Sequence, residues 1–231
     1  MDAVRIDLRA YTASFRMPGM MGYQITSPVP PPATVYGLLA AASGREVTPD
    51  ETWIAYRFEY EALAQDLEKV IAFFRDDKKN RGGPEWDKKL NAVNSYPIVR
   101  QFLFNPHLVL YLKPGAAAEA FHRPRFPLLL GRSQDVAYVE RHEATTLEPV
   151  EIAETAGVLV PFPAPGVPSQ LFSFSTYFEM ATRRALAVKP FHILDALRGR
   201  QVVNVPGLFH RERDGRDALA VPLFDRKVLA P

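Results

Sequence analysis

Residues 14–44 read SFRMPGMMGYQITSPVPPPATVYGLLAAASG. Just upstream, Val4, Ile6, Leu8 and Ala10 alternate with Arg5, Asp7 and Arg9, which predicts a half-buried strand over 4–16. Towards its end the second face also turns apolar or aromatic, with Tyr11, Ala13 and Phe15. A bend containing Gly19 and Gly22 follows. Pro30, Pro31 and Pro32 then offer no backbone donors and favour an extended path. Thr34 is the predicted N-cap of a helix over 34–43, with Val35, Leu38, Leu39 and Ala42 at helical spacing and Gly44 as its stop. Gly37, Ala40 and Ala41 let that helix lie close on a sheet.

Working outward, WIAYRFEY (53–60) predicts a strand with Ile54, Tyr56, Phe58 and Tyr60 on one face. Leu63, Leu67, Val70 and Phe74 predict a helix over 61–75. DDKKNRGGPEWDKK (76–89) has the polar, Gly/Pro-punctuated character of a loop or the tip of an insertion. YPIVRQFLFNPHLVLYL (96–112) predicts two strands around a turn at Asn105-Pro106. A short helix over 115–122 and a turn then strand in LLLGRSQDVAYVE (128–140) follow. The order suits an α+β, ferredoxin-like βαββαβ domain over 1–145, with an insertion at about 75–105. Such a sheet is also the platform of RNA-recognition domains. Residues 146–231 are expected to form a β-rich region packed on the first, with a hairpin over 208–224 turning at Asp214-Gly215.

The chain has 231 residues, no cysteine and a net charge of +2. Disulfides and thiolate metal sites are excluded, and no apolar run reaches membrane length. We expect a cytoplasmic protein with no membrane association. Charge is uneven: residues 75–135 carry 11 positive and 6 negative side chains, which read either as ordinary solvated Lys and Arg or as a local basic face on a nearly neutral molecule. Phosphate-loop, dinucleotide, zinc-protease and nucleophile-elbow motifs are all missing. The five histidines stand far apart, so only folding could assemble a metal cluster. We therefore expect no catalytic residue, no metal and no cofactor.

Taken with the family resemblance of these segments, the residues suit an RNA end, which is held through phosphates, sugars and splayed bases. Ser14, Phe15 and Arg16 present a charge beside a ring at a strand end. Gly22 permits close backbone approach, and Tyr23 and Gln24 can stack or hydrogen-bond. The alternative is that the Met- and Tyr-rich bend is an apolar plug. Thr34 and Tyr36 lie at a helix N-terminus, whose partial positive charge suits a phosphate. Arg100 and Gln101 fall within an apolar strand pair. Arg132 and Ser133 follow Gly131, where Arg132 either binds phosphate or pairs with Asp135. Lys88 and Lys89, with Lys78, Lys79 and Arg81, suit nonspecific phosphate attraction, and Trp86 suits stacking or anchoring.

Segments 14–44, 96–112 and 128–140 together resemble the fifth CRISPR-associated (Cas) protein family. They match its aromatic-basic strand end, its proline-led small-residue helix and its leucine-glycine-arginine turn. The resemblance implies a RAMP-type, RNA-recognition-like domain with a thumb-like insertion. It implies a non-catalytic subunit of the type I surveillance complex, Cascade, in antiviral defence. Such a subunit binds and caps the 5′ handle of CRISPR RNA, contacts the backbone and large subunits, and meets target DNA through the assembled complex. In the type I-C branch the member is a metal-independent endoribonuclease using tyrosine, lysine and an adjacent histidine. This chain has no Lys-His dipeptide, which favours a type I-B-like branch. The alternatives are precursor cleavage through Tyr36, Tyr96, His107 or His122, and a pure protein–protein adaptor.

Overall fold

A computed structural model describes residues 1–17, 23–75, 90–182, 184–185, 187–214 and 218–230, without the side chains of 70–75 and 90–96. Gly22, Lys88, Lys89, the other basic residues and Trp86 of the 76–89 segment, and Gly215 of the expected 208–224 turn all lie outside these residues.

The chain is built mostly of strands. The first strand, β1 (Asp2–Ala10), continues with breaks as β2 (Thr12–Ala13) and β3 (Phe15–Arg16). Next come β4 (Tyr23–Gln24), β5 (Thr26–Ser27) and helix α1 (Pro32–Ser43). The helix starts two residues before Thr34, because Pro32 at its first turn has its φ already set and needs no donor. Thr34 is therefore not the N-cap; Pro31 holds that place, with no side-chain cap. Gly44 ends the helix in the left-handed conformation, at φ +69°, as its position predicts.

Strand β6 (Ile54–Glu59) is followed by two long strands, β7 (Ala62–Arg75) and β8 (Leu90–Phe104), paired antiparallel from Ala62↔Phe104 to Arg75↔Leu90. The helix expected over 61–75 is thus a strand. Leu63 and Leu67 lie four apart, a spacing that suits one face of a strand as well as a helix. Both are exposed, so neither belongs to a buried helical stripe. The turn at Asn105-Pro106 leads into β9 (His107–Leu112), then α2 (Ala116–Glu119) and a 3₁₀ turn over Ala120–His122. Strands β10 (Leu128–Leu129) and β11 (Val136–Pro149) follow.

Beyond β11 lie β12 (Ile152–Thr155), β13 (Val158–Pro161), β14 (Gln170–Ser175), β15 (Phe178–Glu179), β16 (Arg184–Ala185), β17 (Val188–Leu194) and β18 (Gln201–Asn204). The described chain ends with β19 (Phe209–Glu212), β20 (Val221–Phe224) and the short helix α3 (Arg226–Leu229). Strands β13, β17 and β14 form a small sheet, and β19 pairs with β20 as expected of the C-terminal hairpin.

Six strands close into an antiparallel ring in the order β1-β9-β6-β20-β19-β11, with β11 returning to β1. Closure depends on the length of β11. Residues 137–146 pair with β1, whereas Leu147, Glu148 and Pro149 pair with β19. The C-terminal hairpin thus completes a ring that the N-terminal strands leave open.

This closure corrects the reading of β1 as half-buried. Its even face (Val4, Ile6, Leu8) packs with Tyr56, Phe58 and Leu110 against Val35, Leu38 and Leu39 of α1. Its odd face is enclosed too: Ala3 joins Ala55, Val109, Tyr111, Leu147 and Val221 in a second apolar cluster. Arg5 and Asp7 are also buried, at 5% and 3% exposure. They survive there because each is compensated. The Arg5 guanidinium donates to Asp7 at 2.8 and 3.2 Å and to Glu212 at 3.0 Å. Glu212 comes from the closing hairpin, so the ion network and the ring closure depend on each other. Among the described residues no helix is long and apolar enough to cross a membrane.

Candidate nucleic-acid interface

The end of the first strand folds back on itself: Phe15 pairs with Ser27 and Arg16 with Thr26. This ladder aims alternate side chains in opposite directions. Phe15 points inward, 3% exposed, with its ring edge-on to Phe58 at 5.2 Å. Its ring therefore seals the core and is not available to stack on a base, a correction to the charge-beside-ring reading. Arg16 stays exposed. Among the described residues it meets no carboxylate at ion-pair distance.

Short polar side chains fix this fold-back. Thr26 Oγ1 accepts from the Phe15 N–H at 2.8 Å and donates to the Ser27 carbonyl at 3.2 Å. Ser14 is buried, and its hydroxyl donates to the Gln101 carbonyl at 3.0 Å. It is an anchor between segments. Strand β4 joins β8 in parallel, setting Tyr23 beside Val99 and Gln24 beside Arg100. The Tyr23 hydroxyl accepts from Gln65 and Gln101 side-chain amides at 2.8 and 3.0 Å, which steadies a ring that is 38% exposed. Gln24 is buried, and its side-chain oxygen has no hydrogen-bond partner among the described residues.

The two arginines expected to meet RNA beyond the strand end, Arg100 and Arg132, both lie against carboxylates. Arg100 lies 3.0 Å from Glu68. Arg132 grips Asp135 through Nε and Nη2 at 3.0 and 2.9 Å, reaches Glu68 at 3.0 Å, and stacks over Phe102 at 5.5 Å. Asp135 is fully buried and also accepts from the Thr12 hydroxyl at 2.5 Å and the Arg132 N–H at 3.0 Å. The phosphate reading of Arg132 gives way to the Asp135 pair. Its guanidinium is desolvated, yet the hydrogen bonds and charge of Asp135 and Glu68 outweigh that and raise its pKa. Ser133 remains exposed at the turn. Gly131 has φ +114°, and a Cβ there would sit 1.9 Å from the Ser14 carbonyl oxygen. The turn after β10 thus presses backbone to backbone on the segment leading to Arg16.

Arg16 opens into a cleft of about 250 Å³ shared with Pro31, Ala33, Thr34, Phe174, Ser175 and Phe178. One wall is the N-terminus of α1, which has no acidic residue in its first turn. Phe178 is half exposed, so the aromatic available to this cleft comes from β15 and not from Phe15. Sequence reading missed Phe178 and Ser175, because nothing local to them indicates that β14 and β15 come to α1. Glu68 was missed for the same reason.

Tyr36 does not reach this cleft. It is buried, donates to the Thr52 carbonyl at 2.9 Å and packs edge-on to Tyr177 at 5.4 Å. Burial, with Asp225 assisting, pushes its hydroxyl well above the usual phenol range. His107 lies 3.6 Å from Asp7, and His122 stacks on His142, so these two histidines sit in separate settings. The Tyr96 side chain is outside the described residues.

The family described as CRISPR-associated protein (Cas_Cas5) matches residues 3–211. No curated protein matches. Similar solved structures include a chain of a "CRISPR RNA-guided surveillance complex", 18% identical over 93% of this chain and 95% of that one, with a TM-score of 0.46. A "Crystal structure of Cas protein" is 19% identical over 87% and 95%, at 0.45. A chain from the cryo-EM structure of the Type III-B Cmr-beta bound to cognate target RNA and AMPPnP is 10% identical over 88% and 86%, at 0.51, and shares the fold. With the family match spanning nearly its whole length, this chain belongs to the Cas5 family of CRISPR-associated proteins.

Proposed function

We propose that this chain is a non-catalytic subunit of a type I CRISPR surveillance complex, in a type I-B-like branch, and that it holds and caps the 5′ handle of CRISPR RNA. The observation that carries the reading is Arg16. It is an exposed cation without a carboxylate partner among the described residues, in a cleft with a helix N-terminus, the Thr34 and Ser175 side chains and an exposed ring, Phe178. Phosphate, sugar hydroxyl and base face each have a matching group there. Tyr23 offers a second exposed ring beyond Arg16.

The reading takes β1, α1, β6, β9, α2 and β11, ordered β11-β1-β9-β6 in the ring, as the ferredoxin-like path of an RNA-recognition-type domain. The long β7–β8 hairpin is then its thumb. The protein partners are the backbone and large subunits, target DNA is met through the assembled complex, and the setting is the cytoplasm. Two of the four cleavage candidates are engaged in the fold: Tyr36 is buried and donates to the Thr52 carbonyl, and His107 lies 3.6 Å from Asp7.

The test is binding of a repeat-derived 5′-handle RNA by fluorescence anisotropy across a salt series. Arg16→Ala should weaken binding and lower the salt slope by about 1, as expected for loss of one phosphate contact. An unchanged slope would remove Arg16 from the interface. Metal-free cutting of a repeat hairpin at one position by the purified chain would overturn the non-catalytic part.

A further inference from the structure

Folding brings together two histidines that lie 20 residues apart in sequence. His122, at the end of the 3₁₀ turn after α2, and His142, on β11, have ring centroids 3.6 Å apart. Glu119, one turn before His122, lies 3.6 Å from its Nε2. One ligand atom from each of Glu119, His122 and His142 falls within 4.8 Å of the others. We propose that these three residues form a binding site for a divalent transition ion of the Zn²⁺ class.

The donor set of two imidazoles and one carboxylate is of the kind that borderline ions take, and it leaves a fourth tetrahedral position open. Bonds of about 2.0–2.1 Å in a tetrahedron place ligand atoms roughly 3.3 Å apart, so the 3.6 Å Glu119–His122 spacing is already close. A second feature supports the site independently. His142 Nε2 lies 3.0 Å from the Ala118 carbonyl, which can only accept, so Nε2 carries the proton and the neutral ring keeps its Nδ1 lone pair. Metal-binding histidines are commonly oriented by such a bond from the other ring nitrogen. Glu119 and His122 are exposed and can close the remaining distance by side-chain rotation.

The other close grouping, Asp7, His107 and Glu140, differs in kind. Asp7 already accepts from Arg5 and faces Arg141 at 3.6 Å, so its charge is met by cations. The proposed site stands apart from the RNA reading. An ion there would join the helical turn after α2 to β11 of the ring.

The test uses the untagged full chain, equilibrium dialysis against Zn²⁺ with metal analysis, and the visible spectrum of the Co²⁺ form. One equivalent should bind. His122→Ala and His142→Ala should each weaken binding by more than the roughly 10–100-fold that loss of an orienting partner costs. Glu119→Gln should weaken it less, and His107→Ala should leave it unchanged. Substoichiometric binding by the parent chain would overturn the proposal, as would parent-like binding by His122→Ala and His142→Ala. The exposed His122 and Glu119 variants keep the test valid if His142→Ala misfolds.

Discussion

Replacing Asp135 by asparagine isolates the buried charge that holds the turn after β10 against the segment leading to Arg16. The carboxylate accepts from Arg132 Nε, Nη2 and backbone N–H and from Thr12, at 3.0, 2.9, 3.0 and 2.5 Å. Asparagine keeps the shape but offers one acceptor oxygen, and its amide nitrogen faces a donor. Breaking a buried pair costs about 3–5 kcal/mol when the partner charge is left uncompensated. Arg132 would retain Glu68 at 3.0 Å, so the expected loss lies at the low end, about 3 kcal/mol. For a chain of this length that corresponds to a Tm lower by roughly 6–12 °C. Circular dichroism melts of both proteins at neutral pH measure it. Glu68→Gln should cost less, since Glu68 is more exposed. An unchanged Tm in Asp135→Asn would refute the argument that this carboxylate holds the turn.

Three further outcomes follow from the same structure. Phe15→Ala should destabilise by about 3–5 kcal/mol in urea denaturation, as for a core aromatic; a variant with parent stability but weaker RNA binding would return the ring to a contact role. Gly131→Ala should lower Tm, because its Cβ meets the Ser14 carbonyl oxygen and its φ of +114° disfavours a side chain; a Tm equal to the parent's would show that the close approach relaxes freely. The Asp7 carboxyl is penalised by burial, yet the hydrogen bonds and charge of the Arg5 guanidinium hold it well below the usual carboxylate range. Its folded pKa lies below its unfolded value of about 3.9, so its stabilisation is complete above that value and is lost as pH falls further. Asp7→Asn should therefore be less stable at pH 7 and show a shallower acid decline, and a decline as steep as the parent's would assign the acid sensitivity elsewhere.

Local patterns carried much of the fold. The alternation in β1, the small residues and Gly44 stop of α1, the aromatic face of β6 and the turn at Asn105-Pro106 each depend on neighbours within a few residues. The 61–75 segment failed because Leu63 and Leu67 satisfy both periods, and only the partner strand β8 decides between them. The burial of Arg5 and Asp7 was illegible because Glu212 and the closing hairpin arrive from the far end of the chain. At the candidate site, Arg16, Tyr23 and Thr34 were readable as residue types on a strand end, a loop and a helix start. The fate of Arg100 and Arg132 was not, since Glu68 comes from a different strand. Phe178 was hidden for the same reason.

The most direct test of the handle-binding claim is crosslinking in the reconstituted surveillance complex, with 4-thiouridine placed through the 5′ handle of the CRISPR RNA and peptides mapped by mass spectrometry. The account predicts crosslinks from handle nucleotides to peptides carrying Arg16, Tyr23 and Phe178. Handle crosslinks confined to other subunits, with none to these peptides, would contradict it.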